Sequence, residues 1–208
     1  MRCKALTAKL SGDDLTLFRG DRCLFKGLNF ALNPGEVLLL EGRNGSGKTS
    51  LLRAIAGLIE LETGRVSWDG VPIRGQRQAF HLALVWLAHR VGFKADLTLL
   101  ENLRFESSLR PQAERDLEEV LERLGIERLK NLPMRALSAG QQRRVALARM
   151  LLADAVLWML DEPVTNLDRE GRSLVMQLVS EHAAHNGMVI MAAHQDIKLE
   201  APMQTIRL

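Results

Sequence analysis

The chain has 208 residues, 47% hydrophobic and 25% charged, which predicts one globular domain over 1–208 with a sizeable core. Its 28 basic and 25 acidic residues leave a formal net charge of +3. Only Arg143 and Arg144 are adjacent basic residues, weak grounds for a nucleic-acid surface, and the same charge suits a face apposed to anionic lipid or to a membrane protein's cytoplasmic loops. The apolar stretches 82–88, 155–160 and 188–193 fall short of the roughly 20 residues a spanning helix needs. Residues 1–9 lack the apolar core of a signal peptide, so a cytosolic chain is expected. Cys3 and Cys23 show no metal-like spacing and are expected as thiols.

In chain order, residues 5–72 carry short alternating strand patterns, and Asp69-Gly70 after Val66 and Trp68 has the makings of a tight hairpin turn. The run Val37-Leu38-Leu39-Leu40 is continuously apolar and predicts a strand buried on both faces of a parallel sheet. Helical periodicity takes over across 97–152. It is clearest at Leu117, Val120, Leu121 and Leu124, with Pro111 expected near the start of that helix and Gly125 just past its end. Buried strands return at 156–160 and 189–193, separated by a helix expected over 173–184. The alternation predicts an α/β fold with an N-terminal antiparallel β subdomain and a helical subdomain, about 95–152, inserted in a parallel-sheet core.

Gly42-Arg43-Asn44-Gly45-Ser46-Gly47-Lys48-Thr49 follows the buried strand directly and leads into a helix expected over 50–58. In that context the motif acts as a phosphate loop: glycines let successive backbone N–H groups turn inward on phosphate oxygens, and the helix dipole adds positive potential. Gly42, Arg43, Asn44, Gly45, Ser46, Gly47, Lys48, Thr49 and Ser50 are therefore candidates to hold ATP. Lys48 would bridge the β and γ phosphates, and the Thr49 hydroxyl would bind Mg²⁺. A plain glycine-rich linker is the competing reading, disfavoured because strand, loop and helix agree.

The later run 156–160 ends on Asp161, followed by Glu162. Asp161 is expected in the Mg²⁺ shell and Glu162 as the group that polarises the attacking water. Without the phosphate loop, an ordinary exposed strand end would explain the two acids equally well. His194 closes the run 189–193 and would reach the γ phosphate if its strand neighbours that of Asp161. His182 and His185 read as a solvated helix face rather than a metal pair.

Leu137-Ser138-Ala139-Gly140-Gln141 precedes an apolar helix, and Ser138 with Gln141 has the capping-box pattern. A capped helix start with small residues is also an anion site. This pentapeptide resembles the signature of ATP-binding-cassette ATPases, with Ala139 where glycine is usual. The resemblance implies the cassette form of the P-loop NTPase fold, ATP hydrolysis, and a homodimer in which one subunit's signature completes its partner's nucleotide site. It further implies that Thr165-Asn166-Leu167-Asp168 is the D-loop, with Asp168 coupling the two sites. By the same resemblance Arg19, beside Phe18, replaces the aromatic that stacks on adenine, and His89 replaces the glutamine that links nucleotide to the membrane subunit.

Arg19-Gly20-Asp21-Arg22, Leu24-Phe25-Lys26-Gly27-Leu28 and the stretches 89–94, 97–103, 137–149 and 157–163 also resemble the CcmA-like ATP-binding subunits of the bacterial cytochrome c maturation system. The arginine and histidine replacements are features of that group. This resemblance implies a role in c-type cytochrome biogenesis, a separate integral-membrane permease subunit (CcmB-like) and a peripheral place on the cytoplasmic face of the bacterial inner membrane. It also implies an indirect link to the periplasmic haem chaperone, and no nucleic acid. The ATPase of another exporter would keep every catalytic motif and differ only around 89–103. A soluble, non-transport cassette ATPase is the third reading, a class that usually carries long insertions or a second cassette.

Overall fold

The computed structural model describes residues 9–193 and 199–208. Its elements in chain order are β1 (Leu10–Arg19), β2 (Arg22–Leu32), β3 (Val37–Glu41), α1 (Lys48–Ile55), β4 (Thr63–Trp68), β5 (Val71–Pro72), α2 (Arg77–Ala83), β6 (Leu84–Leu87) and α3 (Leu99–Ser107). Then follow α4 (Leu117–Arg123), α5 (Ala139–Leu152), β7 (Leu157–Asp161), α6 (Arg169–Ala184), β8 (Met188–Ala193) and β9 (Met203–Arg207). One sheet is antiparallel, in the order β2-β1-β4-β5; the other is parallel, in the order β6-β7-β8-β3-β9.

Helices cover the parallel sheet from both sides, which explains the unbroken apolar runs of its inner strands. Successive side chains point to opposite faces. Leu39, Trp158, Leu160, Val189 and Met191 pack with α5 and α6. Leu38, Leu40, Met159, Ile190 and Ala192 pack with α1 and the antiparallel sheet. Each such leucine or isoleucine contributes roughly 1.5–3 kcal/mol by leaving water. The hairpin turn read at Asp69-Gly70 is present, both residues taking positive φ, 54° and 76°, as a two-residue turn between twisted strands requires.

Several boundaries differ from the sequence expectation. Helix α1 begins at Lys48 and stops at Ile55 rather than spanning 50–58. Gly57, at φ 69°, turns left-handed, and the N–H groups of Gly57 and Leu58 close onto the carbonyls of Ala54 and Arg53. Pro111 does not start α4; Asp116 caps it by accepting from the Glu118 N–H, while Gly125 ends it as expected. Helix α6 starts at Arg169, ahead of the expected 173, because the Asp168 side chain caps it through the Gly171 N–H. The sequence reading missed α2, β6 and β9. Strand β6 is four residues long, too short to show a period, and β9 is an edge strand whose mostly exposed side chains carry no apolar pattern.

His182 leaves the solvated face expected for it. Its ring stacks on Trp158, centroids 3.9 Å apart and planes at 8°, with Nε2 3.1 Å from the Val156 carbonyl oxygen. Burial pushes its pKa down to about 4, so the imidazole is neutral at physiological pH and its contribution is packing.

Leu40 is fully buried between the sheet and α1. Leu40→Ala is expected to cost about 3–5 kcal/mol in urea unfolding, and a loss below about 1 kcal/mol would contradict a β3 covered on both faces.

Candidate functional site

Parallel strands deliver their carboxyl ends to one edge of a sheet, and in open α/β sheets ligands bind there. Because β3 and β7 flank β8, the loop after β3 and the acids after β7 meet at that edge. His194 follows β8 in the chain and lies outside the described residues.

Residues 42–47 connect β3 to α1. Gly42, Gly45 and Gly47 have φ of 155°, 77° and 116°. At Gly42 the need for glycine is also steric, since a Cβ would lie 2.5 Å from Ser46 Oγ and 2.8 Å from the Leu208 carbonyl oxygen. The N-cap of α1 is Gly47, which has no side chain to cap it, and no acid occupies the first turn, whereas Thr98, Asp116, Ser138 and Asp168 cap α3, α4, α5 and α6. An uncapped helix start beneath a glycine loop is a ready anion site. Ser46 Oγ is buried with no hydrogen-bond partner among the described residues, a polar atom that a phosphate oxygen would satisfy. Arg43, Asn44 and Gly45 form the exposed crest of the loop, and Ser50 lies in the first turn of α1.

Lys48 is buried and its Nζ donates to the carbonyls of Gly42 (2.7 Å) and Arg43 (3.1 Å), holding the ammonium within the loop. Burial lowers its pKa, while the charges of Glu162 and Asp161 oppose that shift. The Thr49 hydroxyl donates to both carboxylate oxygens of Asp161, at 3.1 and 2.9 Å, across 112 residues of sequence. Asp161 is 2% exposed. Burial raises its pKa, helped by the neighbouring Glu162 charge; the Thr49 hydrogen bond, His89 and Arg143 act the other way. A hydroxyl and a desolvated carboxylate converging on one point are hard oxygen donors. They suit Mg²⁺, which takes one or two protein ligands and fills its remaining positions with water and phosphate.

Glu162 has φ 52°, a conformation non-glycine residues rarely adopt and one that clusters at functional sites. Its N–H donates to the Ala192 carbonyl, at 3.0 Å. The sequence reading missed what holds this turn from the other side, the Arg143 guanidinium, which is 4% exposed. Nη2 donates to the carbonyls of Asp161 (2.9 Å) and Glu162 (2.7 Å), Nε to Pro163 (3.1 Å) and Nη1 to Ala88 (2.7 Å). Burial pushes its pKa down to about 10, with Asp161 and Glu162 opposing, so it stays charged at neutral pH. The signal was in the sequence: Arg143 shares a helical stripe with Ala146, Leu147 and Met150, all buried, so it faces inward rather than forming a basic surface with Arg144.

The signature residues form the start of α5. Ser138 and Gln141 make the expected capping box, Ser138 Oγ accepting from the Gln141 N–H at 3.2 Å and Gln141 Oε1 from the Ser138 N–H at 2.8 Å. Ser138 and Ala139 are exposed, and Leu137 is buried beneath them. Gly140 is pressed against the turn 165–168 of its own chain: a Cβ would lie 2.9 Å from the carbonyl oxygen of Asn166, itself at φ 64°. Asp168 caps α6, and its Oδ1 lies 3.7 Å from Arg144 Nη2. His89 is exposed just beyond β6, within electrostatic reach of Asp161 and next to the Ala88 carbonyl that Arg143 holds. Arg149 grips the same segment from α5 through the carbonyls of Trp86 (3.2 Å) and Val91 (3.4 Å). Arg19 ends β1 opposite Arg22 at the hairpin turn. Leu24 of that hairpin would contact a Cβ on Gly47 at 3.3 Å, so the hairpin borders the phosphate loop.

Residues 25–165 match the family described as ABC transporter. The chain is 46% identical over 189 residues to the cytochrome c biogenesis ATP-binding export protein CcmA of Yersinia pestis bv. Antiqua (strain Nepal516), covering 90% of this chain and 87% of that one. It is 45% identical to the CcmA of Nitrosospira multiformis, covering 96% and 98%. Among solved structures, a putative ABC transporter ATP-binding protein from Pyrococcus furiosus superposes with a TM-score of 0.82 at 25% identity, covering 95% and 96% of the two chains. The cbiO1 protein of Clostridium perfringens gives 0.73 at 28% identity, covering 89% and 78%. The chain therefore belongs to the ABC transporter family and is an ATP-hydrolysing cassette ATPase, grouped by sequence with the CcmA export proteins.

Proposed function

We propose that this chain is the ATPase subunit of a cytochrome c biogenesis exporter, hydrolysing MgATP as one half of a two-fold dimer. The observation that carries the biological role is the likeness to the CcmA proteins over nine-tenths of the chain. The reading of the chemistry is supported by the convergence of Lys48, Thr49, Asp161 and Glu162 at one sheet edge.

In this reading residues 42–50 cradle the triphosphate, Lys48 turns from the loop carbonyls to the β and γ phosphates, and Thr49 and Asp161 hold Mg²⁺. That ion, when bound, neutralises charge on the phosphates. Glu162 accepts a proton from water as the water oxygen attacks the γ phosphorus and the bond to the ADP oxygen breaks. His194 contacts the γ phosphate, and Arg19 stacks on the adenine. Positioning and charge neutralisation supply the rate, and no covalent intermediate is required. The segment Leu137 to Gln141, which presents the exposed Ser138 and Ala139 at the start of α5, closes the partner's site, and Asp168 together with the His89 segment relays its state. A CcmB-like integral-membrane permease docks the dimer on the cytoplasmic face of the inner membrane and connects it to the periplasmic haem chaperone.

Glu162→Gln is expected to lower turnover at least ~100-fold while still binding ATP, because an amide cannot accept the water proton; normal turnover would remove Glu162 as the base. Lys48→Ala should weaken ATP binding roughly tenfold or more by deleting a charge-assisted contact, as isothermal titration would read. In cells whose only copy carries Lys48→Ala, haem staining should find c-type cytochromes lost while the protein persists. Unchanged cytochromes would reassign the ATPase to another exporter.

A further inference from the structure

Arg143 lies at no position assigned above to nucleotide, metal or partner, yet it touches the backbone on which the catalytic acids are mounted. Its four hydrogen bonds reach the carbonyls of Asp161, Glu162 and Pro163, and of Ala88, immediately before His89. A left-handed glutamate persists only where its surroundings over-determine it. Here the Glu162 N–H is held by the Ala192 carbonyl and its carbonyl by Arg143, so the turn is fixed from both sides. The direction of the Glu162 side chain follows from that backbone.

The same arginine belongs to the helix that opens with the signature. Ser138 caps that helix two turns or less from Arg143, and Gly140 between them packs against the Asn166 carbonyl of the turn that follows Glu162. The first turns of α5 and the segment 161–168 thus touch at two independent points, a guanidinium on three carbonyls and a glycine on a fourth. We propose that Arg143 is the positioning residue that sets Glu162 for hydrolysis and makes that setting depend on the seating of its own chain's signature helix. The side chain acts through Glu162 and touches neither water nor phosphate. Lysine cannot replace it, because a single ammonium lacks the planar fork that serves several carbonyls at once.

This inference rests on Glu162 being the base, and the experiment separates the two. Arg143→Lys and Arg143→Gln are made alone and in the Glu162→Gln background. Steady-state kcat and KM, the affinity for a fluorescent ATP analogue and the melting temperature are measured, with rates normalised to nucleotide-binding sites so that unfolded protein does not count. Alone, each variant is expected to lower kcat at least ~10-fold with ATP affinity changed less than about threefold, as loss of a positioning contact does. In the Glu162→Gln background the residual single-turnover rate should not fall further, because the group that Arg143 positions is already disabled. Unchanged kcat per site, or a second drop of the same size in the Glu162→Gln background, would overturn the role of Arg143 as more than structural. Full turnover by Glu162→Gln alone would instead strike the base assignment itself.

Discussion

The site depends on one constraint, the placement of β3 and β7 on either side of β8 in a parallel sheet. Parallel pairing forces the carboxyl ends of the strands to one edge, so a loop at residue 42 and an acid at residue 161 become neighbours without any local sequence relation. The Thr49–Asp161 hydrogen bond is the direct mark of that meeting. The pairing is held by two apolar layers, one on each face of the sheet, and the acids keep their place because the strands beneath them cannot shift register without turning each layer inside out.

Helix α5 connects two jobs. Its capped end exposes Ser138 and Ala139, while the buried Arg143 and the half-buried Arg149 reach the backbone around His89 and Glu162. The buried Arg143 is tolerable here because backbone carbonyls take up its N–H groups. The surface pair Arg144–Asp168, at 3.7 Å and with Asp168 mostly exposed, adds little by comparison.

Sequence reading succeeded where chemistry is local. The glycine loop between β3 and α1, the Asp-Gly turn, the capping box at Ser138 and the apolar strand ending in Asp161 each depend on residues a few positions apart, and all stand in the fold where they were read. It failed where the cause is distant or the segment short. Strand β9 exists because β3 offers it an edge, not because its own residues alternate. Helix α1 stops early because Gly57 lies within an otherwise helical run. Asn102 gave no sign that its buried amide fixes residues 94–98, donating to the carbonyls of Lys94, Leu97 and Thr98 and accepting from the Lys94 N–H. The helical stripe of Arg143 showed that it faces inward but not its partners, which the sheet assembles from the end of β7, the turn after it and the segment that follows β6.

In the proposed dimer each nucleotide is enclosed by the phosphate loop of one chain and the signature of another. Asn44 and Ser138 are both exposed, which makes a cross-link the most direct measurement. With both native cysteines, Cys3 and Cys23, replaced by serine, one chain carrying Asn44→Cys and another carrying Ser138→Cys are mixed in the Glu162→Gln background. A shared site gives a disulfide between the two different chains that forms with MgATP and not without nucleotide; no inter-chain bond in MgATP would rule that arrangement out.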